Sequence, residues 1–236
     1  MADISFLQEA TTLAAVDRHI EARRVKPRRY LGMSEIGSDC LRMLWLQYHT
    51  GHREKFSARM LRLFDMGHLI EKRVIKDLRA AGFEVTGTQM RFKDHKNRFK
   101  GHCDGIIEGL PESKKPHVLE VKSASGKSFK EFKEKGIAGH SLGGKYISQV
   151  MLYMAYAGLD RALFIVECKD TSARYQERIK FDKAEALKLI EKARLILEAK
   201  TPPKGISDRP DWFLCRMCYL NNPEFCRKEW VGGSPF

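Results

Sequence analysis

The segment HVLEVKS, residues 117–123, alternates apolar and ionisable side chains in the way that a β-strand requires. Successive side chains of a strand point to opposite faces of a sheet, so Glu120 and Lys122 share one face while Leu119 and Val121 share the other. An edge strand with a solvated face and a cross-strand ion pair has the same pattern. Because Glu-x-Lys is a common tripeptide, the motif alone favours that edge strand, and the neighbouring segments must decide.

The rest of the chain predicts an α/β fold in which helices flank a mixed central sheet. Helices are predicted over residues 5–24, 35–49 with Ser34 as the cap, 57–81, 145–158 and 183–200. Strands are predicted over residues 83–92, 98–110, 117–123, 161–169 and 173–181. One face of the helix over 57–81 should be buried, and the apolar residues expected there are Leu61, Phe64, Leu69, Val74 and Leu78.

Composition narrows the class of partner. The chain has 43 Lys and Arg against 30 Asp and Glu, a formal net charge of +13, which favours a polyanion such as DNA. The excess lysine could instead serve only solubility. The chain shows neither a signal-peptide pattern nor an apolar run long enough to cross a membrane, so a cytoplasmic protein is expected. In a reducing compartment, the six cysteines are better read as ligands or buried thiols than as disulfides.

An acidic residue precedes the Glu-x-Lys strand. Asp104 stands inside the apolar segment GHCDGII, on the neighbouring strand if the two segments pair. Asp104 and Glu120 would then offer carboxylate oxygens to one Mg²⁺ or Mn²⁺ ion. Such an ion activates a water molecule and stabilises charge on a phosphate, and Lys122 would assist beside that water. The pair of strands therefore predicts a phosphodiester-cleaving site.

Four motifs in order resemble the RecB-like branch of the PD-(D/E)xK nuclease superfamily. They are GHLIE at 67–71, Asp104, EVK at 120–122 and QVMLY at 149–153. The resemblance implies a restriction-endonuclease-like core. It assigns the following roles: metal ligands Glu71, Asp104 and Glu120, with His68 beside Glu71 as a supporting group; catalytic lysine Lys122; site-lining and DNA-contacting residues Gln149 and Tyr153. Taken singly, these residues also suit a solvated helix carboxylate and a buried helix face.

Three cysteines crowd the segment CRMCYLNNPEFC, residues 215–226, whereas a closed tetrahedral metal site needs four ligands. In a subset of the same branch, one N-terminal cysteine joins three C-terminal ones around a [4Fe-4S] cluster. That resemblance implies that Cys40 joins Cys215, Cys218 and Cys226 and links the two ends of the chain. Four thiolates suit Zn²⁺ as well, and Cys40 could instead be a core thiol. Cys103 and Cys168, which lie in apolar strands, are interpreted as buried hydrophobic residues.

The expected domain organisation is a single nuclease domain over residues 1–236. Its catalytic core covers about 57–182, while 1–56 and 183–236 form the helical part with the cysteine site. The predicted activity is a metal-dependent exonuclease on DNA ends or single strands in recombination, repair or phage DNA processing, with recombination or helicase proteins as expected partners. The alternative is a catalytically inactive DNA-binding module of the same fold.

Overall fold

A computed structural model gives the structure of residues 11–22, 28–96 and 98–227. Its helices are α1 (Thr12–Glu21), a short 3₁₀ helix (Met33–Glu35), α2 (Leu41–Thr50), α3 (Ala58–Ala80), α4 (Gly126–Gly139), α5 (Gly143–Ala157), α6 (Lys183–Glu198) and α7 (Phe213–Arg216). Its strands are β1 (Leu31–Gly32), β2 (Glu84–Thr86), β3 (Met90–Asp94), β4 (Phe99–Cys103), β5 (Gly105–Glu108), β6 (His117–Ala124), β7 (Arg161–Cys168) and β8 (Arg174–Lys180). The predicted α/β class is confirmed.

The strands form two mixed sheets where one was predicted. The large sheet has the order β2-β5-β6-β7-β8, in which only β6 and β7 are parallel, and the small sheet has the order β1-β4-β3. The predicted strand over 98–110 passes from the small sheet to the large one at Asp104, which separates β4 from β5. The predicted strand over 83–92 is likewise divided into β2 and β3, because the chain turns at Gly87, where φ is +54°.

Strand β6 lies in the middle of the large sheet and is covered on both faces. Leu119 and Val121 pack against one apolar cluster, to which α3 contributes Ile70 and Val74. Val118 packs in the other cluster, which includes residues of α2, α5 and α6. The solvated edge strand is therefore excluded, because β6 pairs with β5 on one side and β7 on the other. Among the described residues, none of the helices has the length and apolar character needed to cross a bilayer.

Helix α3 confirms the helix predicted over 57–81, but its predicted buried face is wrong in part. Ser57 caps the helix by accepting a hydrogen bond from the Met60 amide at 3.4 Å. Leu69 is 60% exposed, whereas Ile70 is buried. Both residues are apolar and lie about 100° apart around the helix axis, so periodicity alone could not choose between them. Phe64 is exposed as well.

The observed helices differ from the predicted ones in three further places. The helix predicted from Ser34 is a 3₁₀ turn followed by α2, which the Cys40 thiol caps. The chain bends between them at Gly37, where a Cβ would lie 2.7 Å from the Cα of Lys145 on α5. Helix α4 was not predicted, although it buries Phe129 and Phe132. The helix predicted over 5–24 is seen as α1, while residues 1–10 and 23–27 lie outside the described residues.

Candidate active site

Asp104 and Glu120 lie side by side on neighbouring antiparallel strands. Gly105 is paired with Leu119, and the Asp104 amide donates to the Leu119 carbonyl at 3.2 Å. The Asp104 carboxylate in turn reaches over β6, where its Oδ2 accepts a hydrogen bond from the Val121 amide at 2.8 Å. Asp104 is 7% exposed and Glu120 is 2% exposed. The backbone register therefore holds two buried carboxylates next to each other, as the sequence predicts.

The two oxygens of Glu120 have different surroundings. Oε1 accepts hydrogen bonds from Lys122 Nζ and, at 2.8 Å, from Gln149 Nε2. Oε2 is buried and has no hydrogen-bond partner among the described residues. A buried carboxylate oxygen without a partner is costly, because it has lost its water and gained nothing in return. This oxygen suits a cation as its missing partner.

Glu71 reaches the same place from helix α3. Its Oε1 accepts a hydrogen bond from Gln89 Nε2 at 2.6 Å, and the same nitrogen lies 3.5 Å from Asp104 Oδ1. Gln89 stands in the turn between β2 and β3 and was not predicted as a site residue. No motif marks it, because its place in the site depends on how the two sheets pack against each other.

Burial and the nearby charges shift the pKa values of the ionisable groups in the site. Burial and the neighbouring Glu120 raise the pKa of Asp104 to about 8, with a smaller contribution from Glu71 and an opposing one from Lys122. Burial likewise raises the pKa of Glu120 against the effect of Lys122. For Lys122, burial acts to lower the pKa, but the carboxylates of Glu120 and Asp104 outweigh it and the pKa is raised. The lysine is therefore held as a cation among acidic groups.

Gln149 and Tyr153 support Glu120 from helix α5. Besides its bond to Glu120, Gln149 Nε2 donates to the Tyr153 hydroxyl at 3.0 Å. Gln149 is 6% exposed and Tyr153 is 2% exposed, so this geometry gives Tyr153 almost no surface with which to touch DNA. Gln149 thus contacts Glu120 directly, and Tyr153 contacts Gln149. His68 lies on the exposed side of α3 and makes no hydrogen bond or ion pair with the described residues.

The donor atoms of this site fit a hard divalent cation. Asp104 Oδ1, Glu120 Oε2 and the Glu71 carboxylate are oxygens, which Mg²⁺ and Mn²⁺ prefer. In the conformation described here, no group of three or more His, Cys, Asp or Glu side chains within 11–22, 28–96 and 98–227 is arranged to hold a metal ion. Side chains would have to move to close around an ion.

The four predicted cysteine ligands meet in one pocket of about 370 Å³. Cys40 lies at the start of α2, and the other three come from the C-terminal segment. Burial raises the pKa of the Cys215 thiol, and nearby Cys40 and Cys226 raise it further; Cys218 behaves similarly. The thiols are thus neighbours, yet they belong to no metal-holding group of the described residues. The four-cysteine metal site is therefore not shown, whereas Cys103 and Cys168 are buried as predicted.

The two sheets and the flanking helices form a fold that is similar to that of an alkaline exonuclease. Residues 47–160 match the family model described as "YqaJ-like viral recombinase domain". This segment contains Glu71, Asp104, Glu120 and Lys122 but none of the four clustered cysteines. The domain match is thus confined to the part of the chain that carries the carboxylate site.

Solved structures of an alkaline exonuclease share this fold. One is an alkaline exonuclease (LHK-Exo) from Laribacter hongkongensis, 18% identical, with a TM-score of 0.54 over 72% of this chain and 87% of that chain. The other is LHK-Exo in complex with dAMP, 18% identical, with a TM-score of 0.51 over 71% of this chain and 86% of that chain. At this identity the likeness concerns the fold alone. No curated protein sequence was found to match the chain.

Proposed function

We propose that this protein is a divalent-metal-dependent deoxyribonuclease, an exonuclease that acts on DNA ends or single-stranded DNA in recombination, repair or phage DNA processing. The YqaJ-like domain and the alkaline exonuclease fold support a nuclease that acts on DNA in recombination or phage DNA processing. The net charge of +13 suits the phosphate backbone of DNA. The order of the motifs supports a place in the RecB-like branch, within a single domain.

One observation carries the proposal. Glu120 uses Oε1 for Lys122 and Gln149 and leaves Oε2 buried without a hydrogen-bond partner among the described residues, beside the raised-pKa carboxylate of Asp104. A site that served only stability would pair this oxygen or expose it to water. Bound between these oxygens, Mg²⁺ or Mn²⁺ would polarise the scissile phosphate and lower the pKa of the attacking water.

The side chains of the site have different proposed roles. Asp104, Glu120 and Glu71 would hold the cation, and Gln149, which bonds to Tyr153, would fix the rotamer of Glu120. Lys122 stays protonated because Glu120 and Asp104 surround it, so it acts through its charge and not as a base. Placed beside the reacting phosphate, that charge stabilises the negative charge that develops as the bond is cleaved.

The test is cleavage of end-labelled linear DNA and of circular single-stranded DNA with Mg²⁺ or Mn²⁺. We expect the wild type to degrade linear DNA and the Lys122→Ala variant to retain folding and DNA binding without cleaving. Lys130→Ala is the control, since Lys130 is an exposed lysine on α4 that pairs with Glu134 alone among the described residues. A wild type that binds DNA but cuts no form with either metal would favour the inactive DNA-binding module. Equal cutting of circular single strands would contradict the exonuclease assignment alone.

We further propose that Cys40, Cys215, Cys218 and Cys226 hold a metal group, a [4Fe-4S] cluster in preference to Zn²⁺. The shared pocket and the resemblance to cluster-bearing nucleases support this proposal. The absorption spectrum of anaerobically purified protein separates the two metals, because an iron-sulfur protein is brown and a zinc protein is colourless. Cys40→Ala should lose the metal, whereas Cys168→Ala should keep it. Metal-free wild-type protein that is stable and fully active would overturn this second proposal.

A further inference from the structure

Gln89 makes a contact that the proposed nuclease chemistry does not require. Its side-chain NH₂ group carries two N–H donors. Its nitrogen, Nε2, lies 2.6 Å from Glu71 Oε1 and 3.5 Å from Asp104 Oδ1. The second distance is at the outer limit of a hydrogen bond. The amide therefore bridges carboxylates from two different elements, helix α3 and the junction between β4 and β5.

The backbone of Gln89 supports a specific role for this side chain. Its φ is +57°, in the left-handed region that glycine adopts freely and that side-chain-bearing residues enter at a cost. The Met90 amide bonds to the Gly87 carbonyl at 2.9 Å and closes the turn around it. Gln89 is exposed, so its side chain can leave the carboxylates without any change in the fold.

A cation and an amide N–H group compete for the same oxygens. Both seek the lone pairs of Glu71 and Asp104, and the amide nitrogen occupies the space between the two carboxylates. We propose that Gln89 is a gate residue of the metal site, whose amide holds the carboxylates together in the metal-free protein and must swing away before a divalent cation can bind. This inference rests on the proposed function, because it concerns the ion that the nuclease would use.

The gate sets the affinity for the ion without being one of its ligands. The hydrogen bond to Glu71 stabilises the metal-free state only, so part of the binding free energy is spent in breaking it. The Gln89→Ala variant lacks the donor and should bind the ion about fivefold more tightly, a change of about 1 kcal/mol. Gln89→Glu keeps the side-chain length but has no donor and adds a negative charge, so it should bind more tightly still.

The experiment is isothermal titration of the full-length protein with Mn²⁺ alone, in the absence of DNA. Gln176→Ala is the matched control, since Gln176 is also exposed and donates from Nε2 to a glutamate, Glu112, at 3.1 Å. We expect Gln89→Ala and Gln89→Glu to tighten binding and Gln176→Ala to match the wild type. Tighter binding by Gln89→Ala supports the gate, because this variant removes the donor and adds no charge. Unchanged affinity in Gln89→Ala would overturn the gate, and weaker binding by this variant would overturn it too, because Gln89 would then be a ligand.

Asp104→Asn separates this inference from the proposed function. It should abolish the Mn²⁺ binding seen in the wild type, which assigns the heat to this site. If the wild type binds no Mn²⁺, or if Asp104→Asn binds it normally, the proposed metal site is wrong and the gate is wrong with it. If Asp104→Asn loses binding while the Gln89 variants behave as the wild type, only the gate is wrong.

Discussion

Replacing Asp104 by asparagine should make the metal-free protein more stable, although it should abolish activity. The carboxyl group is 7% exposed and lies beside Glu120, and these surroundings favour its neutral form. Asparagine is neutral at every pH and nearly the same shape. Its side-chain oxygen can still accept the hydrogen bond that Asp104 Oδ2 accepts from the Val121 amide. The substitution therefore removes the cost of protonating this carboxyl group on folding and keeps the contact.

The gain in stability from Asp104→Asn depends on pH. The pKa of Asp104 is raised from 3.8 to about 8, so between these values the folded protein keeps a proton that the unfolded chain has released. Stability of the metal-free wild type should consequently fall as the pH rises through this window. One pKa unit corresponds to about 1.4 kcal/mol, and pH 7 lies about three units above the unfolded value. Asp104→Asn should thus gain on the order of 4 kcal/mol at pH 7 and about 2 kcal/mol at pH 5.

The assay is urea denaturation in EDTA at several pH values between 4 and 8, repeated with excess Mn²⁺. The ion should stabilise the wild type, by about 2.7 kcal/mol at a hundred times its Kd, and leave Asp104→Asn unchanged. Asp94→Asn is a control whose effect on the free energy of unfolding should have the opposite sign. Burial acts to raise the pKa of Asp94, but hydrogen bonds from the Tyr156 hydroxyl and the His95 amide outweigh it and the pKa is lowered. Equal stability of Asp104→Asn and wild type at pH 7 in EDTA would refute the reasoning.

Three further changes have separate expected outcomes. Lys122→Ala should reduce cleavage at least a hundredfold, the range seen when one donor to transition-state charge is lost, with little change in DNA affinity measured by fluorescence anisotropy. Glu167→Ala should destabilise the fold by about 2 kcal/mol in urea, because Arg73 and Arg174 lose a shared buried partner while both still reach water. Cys215→Ala should lower the melting temperature and solubility if the cysteines bind metal, and a stable, fully active variant would contradict that site.

The centre of the site could be predicted because a strand has a short and strict period. Once HVLEVKS is read as a strand, Glu120 and Lys122 must share a face, and pairing of the two segments brings Asp104 beside them. Backbone register alone thus fixes three of the side chains. Gln149 and Tyr153 follow from the four-residue spacing that places them on one side of α5.

The outer parts of the site depend on packing between elements, which the local sequence does not encode. Helix α3 has apolar side chains on several sides, so its sequence allows more than one buried face, and the sheet selects Ile70 over Leu69. Gln89 lies in a turn without a motif and meets Glu71 only because β2 joins the large sheet and β3 the small one. The local sequence pattern indicates the strands but does not indicate the angle at which the two sheets meet.

The cysteine segment is conspicuous in the sequence, and ordinary side-chain hydrogen bonds also join α2 to the C-terminal part of the described chain. Arg42 on α2 donates to the carbonyls of Pro203 and Cys226, at 2.9 and 2.6 Å, and the Trp45 indole donates to the Ala199 carbonyl at 2.8 Å. These bonds hold the start of α2, and Cys40 with it, against the C-terminal segment. A metal group at the four thiols would therefore reinforce a closure that side chains have formed. Its removal should loosen the C-terminal segment first and leave the carboxylate site on β5 and β6 intact, because that site draws all its residues from 67–153.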